Sequence, residues 1–194
     1  MAKLIGIAGG SGAGKSTVCF GLWDKHPKEV GVFHLDDYFK PKEEVPVLNG
    51  RLNFEDPASI DFERFRKDLE SLKKGQSVKV YTKSERLNPH FETKGKILVE
   101  IEAKPIMLVE GYLLFYDEQV RNLFDIKIYL DIPHEARYAR RVHFKDREYE
   151  EQFLIPMHKK YVEPTKTFAE HIINVSKLSK KEVLSDVEKI IFSH

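Results

Sequence analysis

The strongest structural signal in this 194-residue chain is the run Gly9-Gly10-Ser11-Gly12-Ala13-Gly14-Lys15-Ser16-Thr17. Its spacing, G-x-x-x-x-G-K-S, is the Walker A pattern of phosphate-binding loops. The glycines let the backbone curl around an anion, so that successive N–H groups point at the α- and β-phosphates. Lys15 then reaches the β- and γ-phosphates, and the hydroxyl of Ser16 is a ligand for Mg²⁺. The pattern predicts that residues 9–17 bind a nucleoside triphosphate.

The residues on either side of this run predict a strand, a loop and a helix in succession. Residues 3–8 form a short apolar run that is typical of a buried strand. Residues 16–25 predict a helix, because apolar side chains recur at helical spacing from Val18 to Trp23. The N-terminus of that helix adds partial positive charge to the phosphate site. This context favours a phosphate loop over an ordinary glycine-rich turn.

Composition limits the kind of protein this can be. A chain of 194 residues with 41% hydrophobic content is long enough for one α/β domain with a sizeable core. The net charge of +1 gives no global basic field, so we expect neither nucleic acid nor a membrane as a partner. The single cysteine, Cys19, excludes an internal disulfide and suits a reducing compartment. With no signal-peptide pattern and no long apolar run, we expect a cytoplasmic protein.

Apolar runs alternate with helical segments along the chain, which predicts a parallel sheet with crossover helices. The runs are at 3–8, 30–35, 105–109, 126–130 and 171–175. Further helices are predicted at 60–74, 117–123, 134–147, 150–161 and 180–192. In such folds, ligands gather at the carboxyl ends of the strands. We therefore expect the residues just after each strand to line the site.

Residues 77–102 follow a different pattern. Apolar and polar residues alternate in two short runs, one around Val78 and Val80 and the other from Ile97 to Ile101. This alternation predicts an antiparallel hairpin attached to the main sheet.

Acidic residues follow three of the predicted strands. Asp36 and Asp37 follow the second, Glu110 the third and Asp131 the fourth. A phosphotransferase needs one carboxylate to accept the proton of the attacking hydroxyl and another to hold Mg²⁺ or its waters. Asp36 or Asp37 fits the first role, and Glu110 fits the second because it ends an apolar strand. For Asp131 we expect a capping or turn role.

The segment from His134 to Arg147 is rich in arginine. Arg137, Arg141 and Lys145 share one helical face at i, i+4 spacing. Such a cluster can neutralise charge on a transferring phosphoryl group. The alternative is an exposed basic helix paired with neighbouring acids, which we expect for Arg140.

Taken together, these residues resemble the uridine kinase branch of P-loop nucleoside kinases, with ribosylnicotinamide kinases and phosphoribulokinases as relatives. The resemblance covers nearly the whole chain and rests on Gly9–Thr17, Leu35–Phe39, Phe54–Asp61, Val109–Gly111, Arg140–Arg141 and Tyr161–Lys166. It implies a single kinase domain over residues 1–194, of three-layer α/β fold with a central five-stranded parallel sheet. It also implies that the hairpin at 77–102 lies over the acceptor site and that a short lid occupies residues 141–156.

The resemblance implies a reaction and roles for individual residues. The reaction is the ATP- and Mg²⁺-dependent phosphorylation of a nucleoside 5′-hydroxyl. Asp36 is then the general base, Glu110 organises the metal, and Arg141, with Lys145 or Arg147, bridges substrate and phosphates. Either Glu55 or Asp56 binds the ribose hydroxyls. The other substrate-binding residues expected are Asp37, Tyr38, Phe39, Tyr81, which would lie against the base, and Arg86.

The chain departs from the uridine kinase pattern at three places. Glu55 stands where aspartate is usual, and Asp56 where histidine is usual. The hairpin run from Tyr81 to Arg86 lacks the histidine that reads the base edge in pyrimidine-nucleoside kinases. The lid after Arg141 is about ten residues shorter than in that family. The stretch Glu110–Phe115 also resembles ribosylnicotinamide kinases.

These departures leave other functions open. One is a kinase for a different acceptor, such as ribosylnicotinamide, a sugar phosphate or pantothenate. Another is a nucleotide-dependent regulatory ATPase without a small acceptor. The chain has no Asn-Lys-x-Asp run of a GTPase switch. Asp36 and the long hairpin both favour a kinase. Some relatives are tetramers, so a homo-oligomer is compatible with the resemblance.

Overall fold

The computed structural model describes residues 1–84, 86–140 and 146–193. The strands are β1 (Lys3–Ala8), β2 (Val30–His34), β3 (Val47–Leu48), β4 (Arg51–Leu52), β5 (Val78–Thr82), β6 (Ile97–Ile101), β7 (Ile106–Gly111), β8 (Ile126–Asp131) and β9 (His171–Asn174). A five-stranded sheet has the order β2-β7-β1-β8-β9, with every neighbouring pair parallel. Parallel pairing brings the carboxyl ends of all five strands to one edge.

The α-helices lie between and after these strands. They are α1 (Lys15–Lys25), α2 (Phe62–Lys73), α3 (Phe91–Lys94), α4 (Glu118–Arg121), α5 (His134–Arg140), α6 (Arg147–Tyr149), α7 (Ile155–Met157) and α8 (Lys180–Phe192). Two π-helical stretches, Glu150–Leu154 and His158–Val162, join α6 and α7 into one helical segment. Short 3₁₀ turns occupy Leu35–Tyr38, Lys42–Glu44, Pro57–Ser59 and Glu163–Phe168.

Helices cover both faces of the parallel sheet, which makes three layers. On one face α1 and α8 pack over β1, β7 and β8, with Cys19, Leu22 and Val187 fully buried. On the other face, α2 contributes Phe65, which stacks on Phe33 of β2 at a centroid distance of 5.7 Å. The predicted fold, an α/β sheet of five parallel strands flanked by helices, is confirmed.

The predicted hairpin is also present, but its strands pair only with each other in the described part of the chain. Strands β5 and β6 are antiparallel, and Val80 lies opposite Val99. The hairpin adjoins the core through packing, since Val78 and Val80 are buried against the cluster that contains Phe65. The hairpin is therefore attached to the domain by side-chain packing and not by strand pairing with the described part of the main sheet. No helix among the described residues is long and apolar enough to cross a membrane.

The segment after β8 differs from the single helix predicted over 134–147. Helix α5 is described as far as Arg140, and residues 141–145 lie outside the described residues. A new helix begins at Arg147, because the carboxylate of Asp146 accepts a hydrogen bond from the Tyr149 N–H at 3.0 Å and caps it.

Candidate active site

The phosphate loop follows β1 directly and has the open backbone that an anion requires. Gly9, Gly12 and Gly14 have φ values of 147°, 85° and 93°, which glycine adopts without strain. The ammonium group of Lys15 folds back over the loop and donates to the Gly10 carbonyl at 3.3 Å. The loop therefore has the form of an anion cradle, with a cation at its mouth and the N-terminus of α1 behind it.

Two glycines of the loop also leave room for their neighbours. A Cβ on Gly9 would lie 2.5 Å from the carbonyl oxygen of Leu130 in β8. A Cβ on Gly10 would lie 1.8 Å from Nη1 of Arg137, a buried side chain of α5. The approach to the Leu130 backbone requires glycine at position 9, whereas a Cβ at position 10 would require the end of the Arg137 side chain to move. The loop therefore packs tightly against β8 and α5.

The predicted metal-site residues Ser16 and Glu110 are in direct contact. The Ser16 hydroxyl donates to Oε1 of Glu110 at 3.1 Å. The same oxygen is 2.8 Å from Nδ1 of His34, which is buried and paired in register with Glu110 across β2 and β7. Burial alone would raise the pKa of Glu110, but the hydrogen bond and charge of His34 lower it below its ordinary value. The Glu110 carboxylate is thus held ionised beside Ser16.

The predicted general base, Asp36, lies on the wall of the same cavity as the phosphate loop. It belongs to the 3₁₀ turn that follows β2. Burial raises its pKa above the ordinary value, opposed chiefly by the positive charges of Lys83 and Lys15. A carboxylate whose pKa is raised is a stronger acceptor for the proton of an attacking hydroxyl.

The three residues after Asp36 make mainly structural contacts. The Asp37 carboxylate accepts a hydrogen bond from the Lys83 N–H at 3.1 Å, which ties the turn to the hairpin. The Tyr38 hydroxyl donates to Asp68 at 2.5 Å, and its ring lies in the core. Phe39 packs edge to face on Phe54, with ring centroids 5.5 Å apart.

The structure separates the two carboxylates that precede Pro57. Asp56 caps the 3₁₀ turn at Pro57–Ser59, where it accepts from the Ala58 N–H at 2.9 Å. The carboxylate of Glu55 lies 3.4 Å from the hydroxyl of Tyr149 in α6. The half-buried Tyr112 has a raised pKa, caused first by burial and then by the negative charges of Glu55 and Asp36. Glu55 therefore faces the same side of the site as Asp36.

The two predicted substrate residues of the hairpin, Tyr81 and Arg86, do not line the cavity that contains the phosphate loop and Asp36. Tyr81 is 53% exposed and lies opposite Leu98, which is also exposed. Arg86 forms an ion pair with Asp24 of α1 and lies over the ring of Trp23 at 5.6 Å. These contacts dock the end of the hairpin on α1.

Two of the predicted lid cations, Arg141 and Lys145, lie outside the described residues. Arg147 pairs with Glu151 at 3.1 Å, and its side chain is 81% exposed. Arg137, from the same arginine-rich segment, lies inside the fold and is 3.0 Å from Nδ1 of His158. Burial, followed by the charge of Arg137, lowers the pKa of His158 to about 3, so this imidazole is neutral and accepts from Arg137.

A cavity of about 770 Å³ joins the phosphate loop to the residues after β2, β7 and β9. Besides the loop, it is lined by Val18, Asp36, Glu110, Tyr112, Val175, Leu178, Ser179, Lys180 and Val183. Sequence reasoning missed Tyr112 and the group from Val175 to Val183. Both follow the carboxyl end of a strand, so the rule that identified Asp36 and Glu110 also pointed to them.

Asp131, at the end of β8, forms an ion pair with Lys166 at 2.5 Å.

Comparison with known proteins gives consistent matches over most of the chain. A sequence model of the Phosphoribulokinase / Uridine kinase family matches residues 4–182. A uridine kinase from Clostridium novyi is 34% identical over 184 residues, covering 88% of this chain and 86% of that protein. A uridine kinase from Borrelia turicatae is 35% identical over 184 residues, covering 89% of this chain and 86% of that protein.

Solved structures with the same fold have much lower sequence identity. A possible uridine kinase from Bacillus stearothermophilus matches with a TM-score of 0.63 and 19% identity, over 89% of each chain. A shikimate kinase from Acinetobacter baumannii, in complex with shikimate, matches with a TM-score of 0.55 and 18% identity, over 100% of this chain and 94% of that one. At these identities the structural matches show the fold alone.

Proposed function

The chain belongs to the phosphoribulokinase/uridine kinase family, and on that premise we propose that it is an ATP- and Mg²⁺-dependent small-molecule kinase that phosphorylates a primary hydroxyl, foremost the 5′-hydroxyl of a nucleoside. Membership makes it a phosphotransferase that acts on a hydroxyl group, of the nucleoside-kinase kind. The proposal concerns the donor, the metal and the acceptor.

The donor half of the proposal is supported by the fit of the phosphate loop. The positive φ values of Gly9, Gly12 and Gly14 give the loop the curvature that an anion requires, and Lys15 is the cation that would bind the β- and γ-phosphates. At the other end of the cavity, Val175, Leu178 and Val183 offer an apolar wall to the purine ring. Ser16 and Glu110 would hold Mg²⁺, which when bound neutralises charge on the transferring phosphoryl group.

The acceptor half of the proposal rests on the position and the raised pKa of Asp36. It shares a cavity with Lys15, and its raised pKa suits it to receive a proton. As the acceptor oxygen bonds to the γ-phosphorus, the bond from that phosphorus to the β,γ-bridging oxygen breaks and ADP leaves. The hydroxyl proton passes to Asp36. Glu55, with Tyr149 and Tyr112 nearby, would orient the other hydroxyls of a ribosyl acceptor.

An acceptor panel tests this proposal. The protein is incubated with ATP and Mg²⁺ and, separately, uridine, cytidine, ribosylnicotinamide, pantothenate and a sugar phosphate. ADP release is followed, and the product is identified by mass spectrometry. We expect at least one ribosyl compound to stimulate ADP release and to gain one phosphoryl group. Lys15→Ala is expected to weaken both ATP binding and turnover, which ties the signal to this site.

The regulatory ATPase makes the opposite prediction. It would release ADP rapidly without any acceptor, and no compound of the panel would change the rate or become phosphorylated. That result would contradict the kinase proposal. A kinase site keeps water away from the γ-phosphate, so its basal hydrolysis is slow.

A further inference from the structure

The hairpin brings two lysines to the turn that carries Asp36. The backbone N–H of Lys83 donates to the Asp37 carboxylate at 3.1 Å. The side-chain ammonium of Lys83 lies 5.1 Å from the centroid of the Phe39 ring. The ammonium of Lys96, which directly precedes β6, lies 3.5 Å from the Asp37 carbonyl oxygen. Both side chains therefore lie beside the turn at residues 36–39. The acceptor side denotes this turn together with Glu55, Tyr112 and Tyr149.

These two ammonium groups have no close counter-ion in the described part of the chain. Neither Lys83 nor Lys96 has a carboxylate oxygen within the 4.0 Å of an ion pair among the residues described. The pKa of Lys96 is lowered first by burial and then by the like charges of Lys83 and Arg64, against the attraction of Asp37. Asp37 and Asp36 attract the Lys96 ammonium, but burial and the like charges still leave its pKa lowered, so a further anion beside the two lysines would be favourable.

The opposite part of the acceptor side is acidic. Glu55 lies beside Tyr149, and its charge, like that of Asp36, raises the pKa of Tyr112. The hydroxyls of Tyr112 and Tyr149 already donate to the Phe54 carbonyl and to Glu55. The Glu55 carboxylate suits the hydroxyl groups of an acceptor, whereas two ammonium groups suit a carboxylate or phosphate. Asp36 is close to both groups, since Lys83 is the largest positive charge that acts on it.

We propose that the acceptor carries a carboxylate or phosphate group in addition to the hydroxyl that reacts, and that Lys83 and Lys96 bind this anionic group. The inference rests on the proposed function and narrows its acceptor to anionic compounds. Lys83 and Lys96 are then the residues that determine specificity, while Asp36 and Lys15 carry the transfer itself.

Matched pairs of acceptors, alike except for the anionic group, give the test. For the carboxylate, we would compare ribosylnicotinic acid with ribosylnicotinamide, orotidine with uridine, and pantothenate with panthenol. For the phosphate, we would compare ribulose 5-phosphate with ribulose. The acidic member of the accepted pair should have a kcat/KM about 10- to 100-fold higher, the size expected for hydrogen bonds to a charged group.

Variants then assign this preference to the lysines. In Lys83→Met/Lys96→Met the advantage of the acidic member should disappear, through a higher KM for that member. At a pH well above the acid limb set by Asp36, kcat/KM for the neutral member should stay within about threefold. Lys83→Arg should retain most of the preference, because a guanidinium also binds carboxylate and phosphate. Lys79→Met removes a charge from the exposed side of the same strand and should leave the ratio unchanged.

Several results would overturn the inference. Equal use of both members, or preference for the neutral one, would show that the acceptor needs no anionic group while the kinase proposal stands. A preference that survives in the double methionine variant would show that other residues bind the anion. An equal loss on both members would show that the lysines only tune Asp36. If no member of any pair stimulates ADP release, the kinase proposal fails, and this inference fails with it.

Discussion

The phosphate loop holds its shape through its backbone, whereas the proposed acceptor side is built from side chains of distant segments. Nine consecutive residues, Gly9–Thr17, form the loop, and glycine dihedral angles set its curvature. Asp36, Glu55, Tyr112 and Tyr149 come instead from four separate segments. The loop depends on one local pattern that tolerates little change. The proposed acceptor side can change one side chain at a time, so its specificity can change while the loop keeps its geometry.

Of the changes considered, Asp36→Asn should have the largest effect on turnover, because it removes the proposed base from the acceptor side. The amide cannot take the hydroxyl proton, so kcat should fall by about 10²- to 10⁴-fold. ATP binding, measured by titration calorimetry, should be nearly unchanged because the phosphate loop is intact. Asp37→Asn is the matched control, since its amide oxygen can still accept from the Lys83 N–H and turnover should largely remain. A near-full rate for Asp36→Asn would move the base to Asp37.

Gly9→Ala should break the phosphate loop through its backbone. The new Cβ would meet the Leu130 carbonyl at 2.5 Å, and the φ of 147° is unfavourable for alanine. Strain and overpacking together should lower the free energy of unfolding by about 2–4 kcal/mol, measured by denaturant titration. Gly50→Ala, with a φ of 75° and no atom within 4 Å, should cost only about 1 kcal/mol. Equal losses in the two variants would contradict the tight fit of Gly9.

The pH dependence of kcat/KM should test the role of Asp36 separately from that of the phosphate loop. Because burial raises the pKa of Asp36 and the base works deprotonated, kcat/KM should fall as pH drops through a value above the ordinary 3.8. Lys83→Met, assayed with a neutral acceptor, should move this acid limb to higher pH, because Lys83 is the largest positive charge favouring the ionised form. A shift to lower pH would contradict the proximity of the two groups.

Arg147→Ala should have the smallest effect. Arg147 pairs with Glu151, and the arginine side chain is 81% exposed. Loss of this pair should change the free energy of unfolding by less than about 0.5 kcal/mol in a thermal melt. If Arg147 serves as a lid cation, the KM for ATP should rise while kcat for the bound complex changes little. An unchanged KM for ATP would remove Arg147 from the donor site. Lys159→Ala, an exposed lysine of the following helical segment, is the charge-matched control.

Most of the regular structure could be predicted from periodicity. The first strand was predicted at 3–8 and lies at Lys3–Ala8, and the last helix was predicted at 180–192 and lies at Lys180–Phe192. The helix predicted over 134–147 did not hold, because Asp146 caps a new helix that begins at Arg147. The hairpin was predicted correctly as a pair of antiparallel strands. Its separation from the main sheet depends on packing against α2, which periodicity does not report.

The candidate site was predictable only where a residue directly follows a strand. Asp36 and Glu110 could be identified in this way, whereas Glu55 and Asp56 were equivalent as a sequence pair. They differ in the fold because Asp56 caps its own turn at 2.9 Å, whereas Glu55 lies beside Tyr149, which is why we propose Glu55 for the site. The contact of Arg86 with α1 also depends on where the hairpin docks.

The sequence by itself determined the phosphate loop, the parallel sheet and the strand-end carboxylates, since these depend on residues that are neighbours in the chain. Only the tertiary structure decided which distant side chains meet around them. His34 contacts Glu110 across 76 residues, and Tyr149 contacts Glu55 across 94 residues. Such pairs form when packed elements bring their side chains together. A local pattern specifies backbone geometry, but it does not encode the docking of remote segments on which the acceptor side depends.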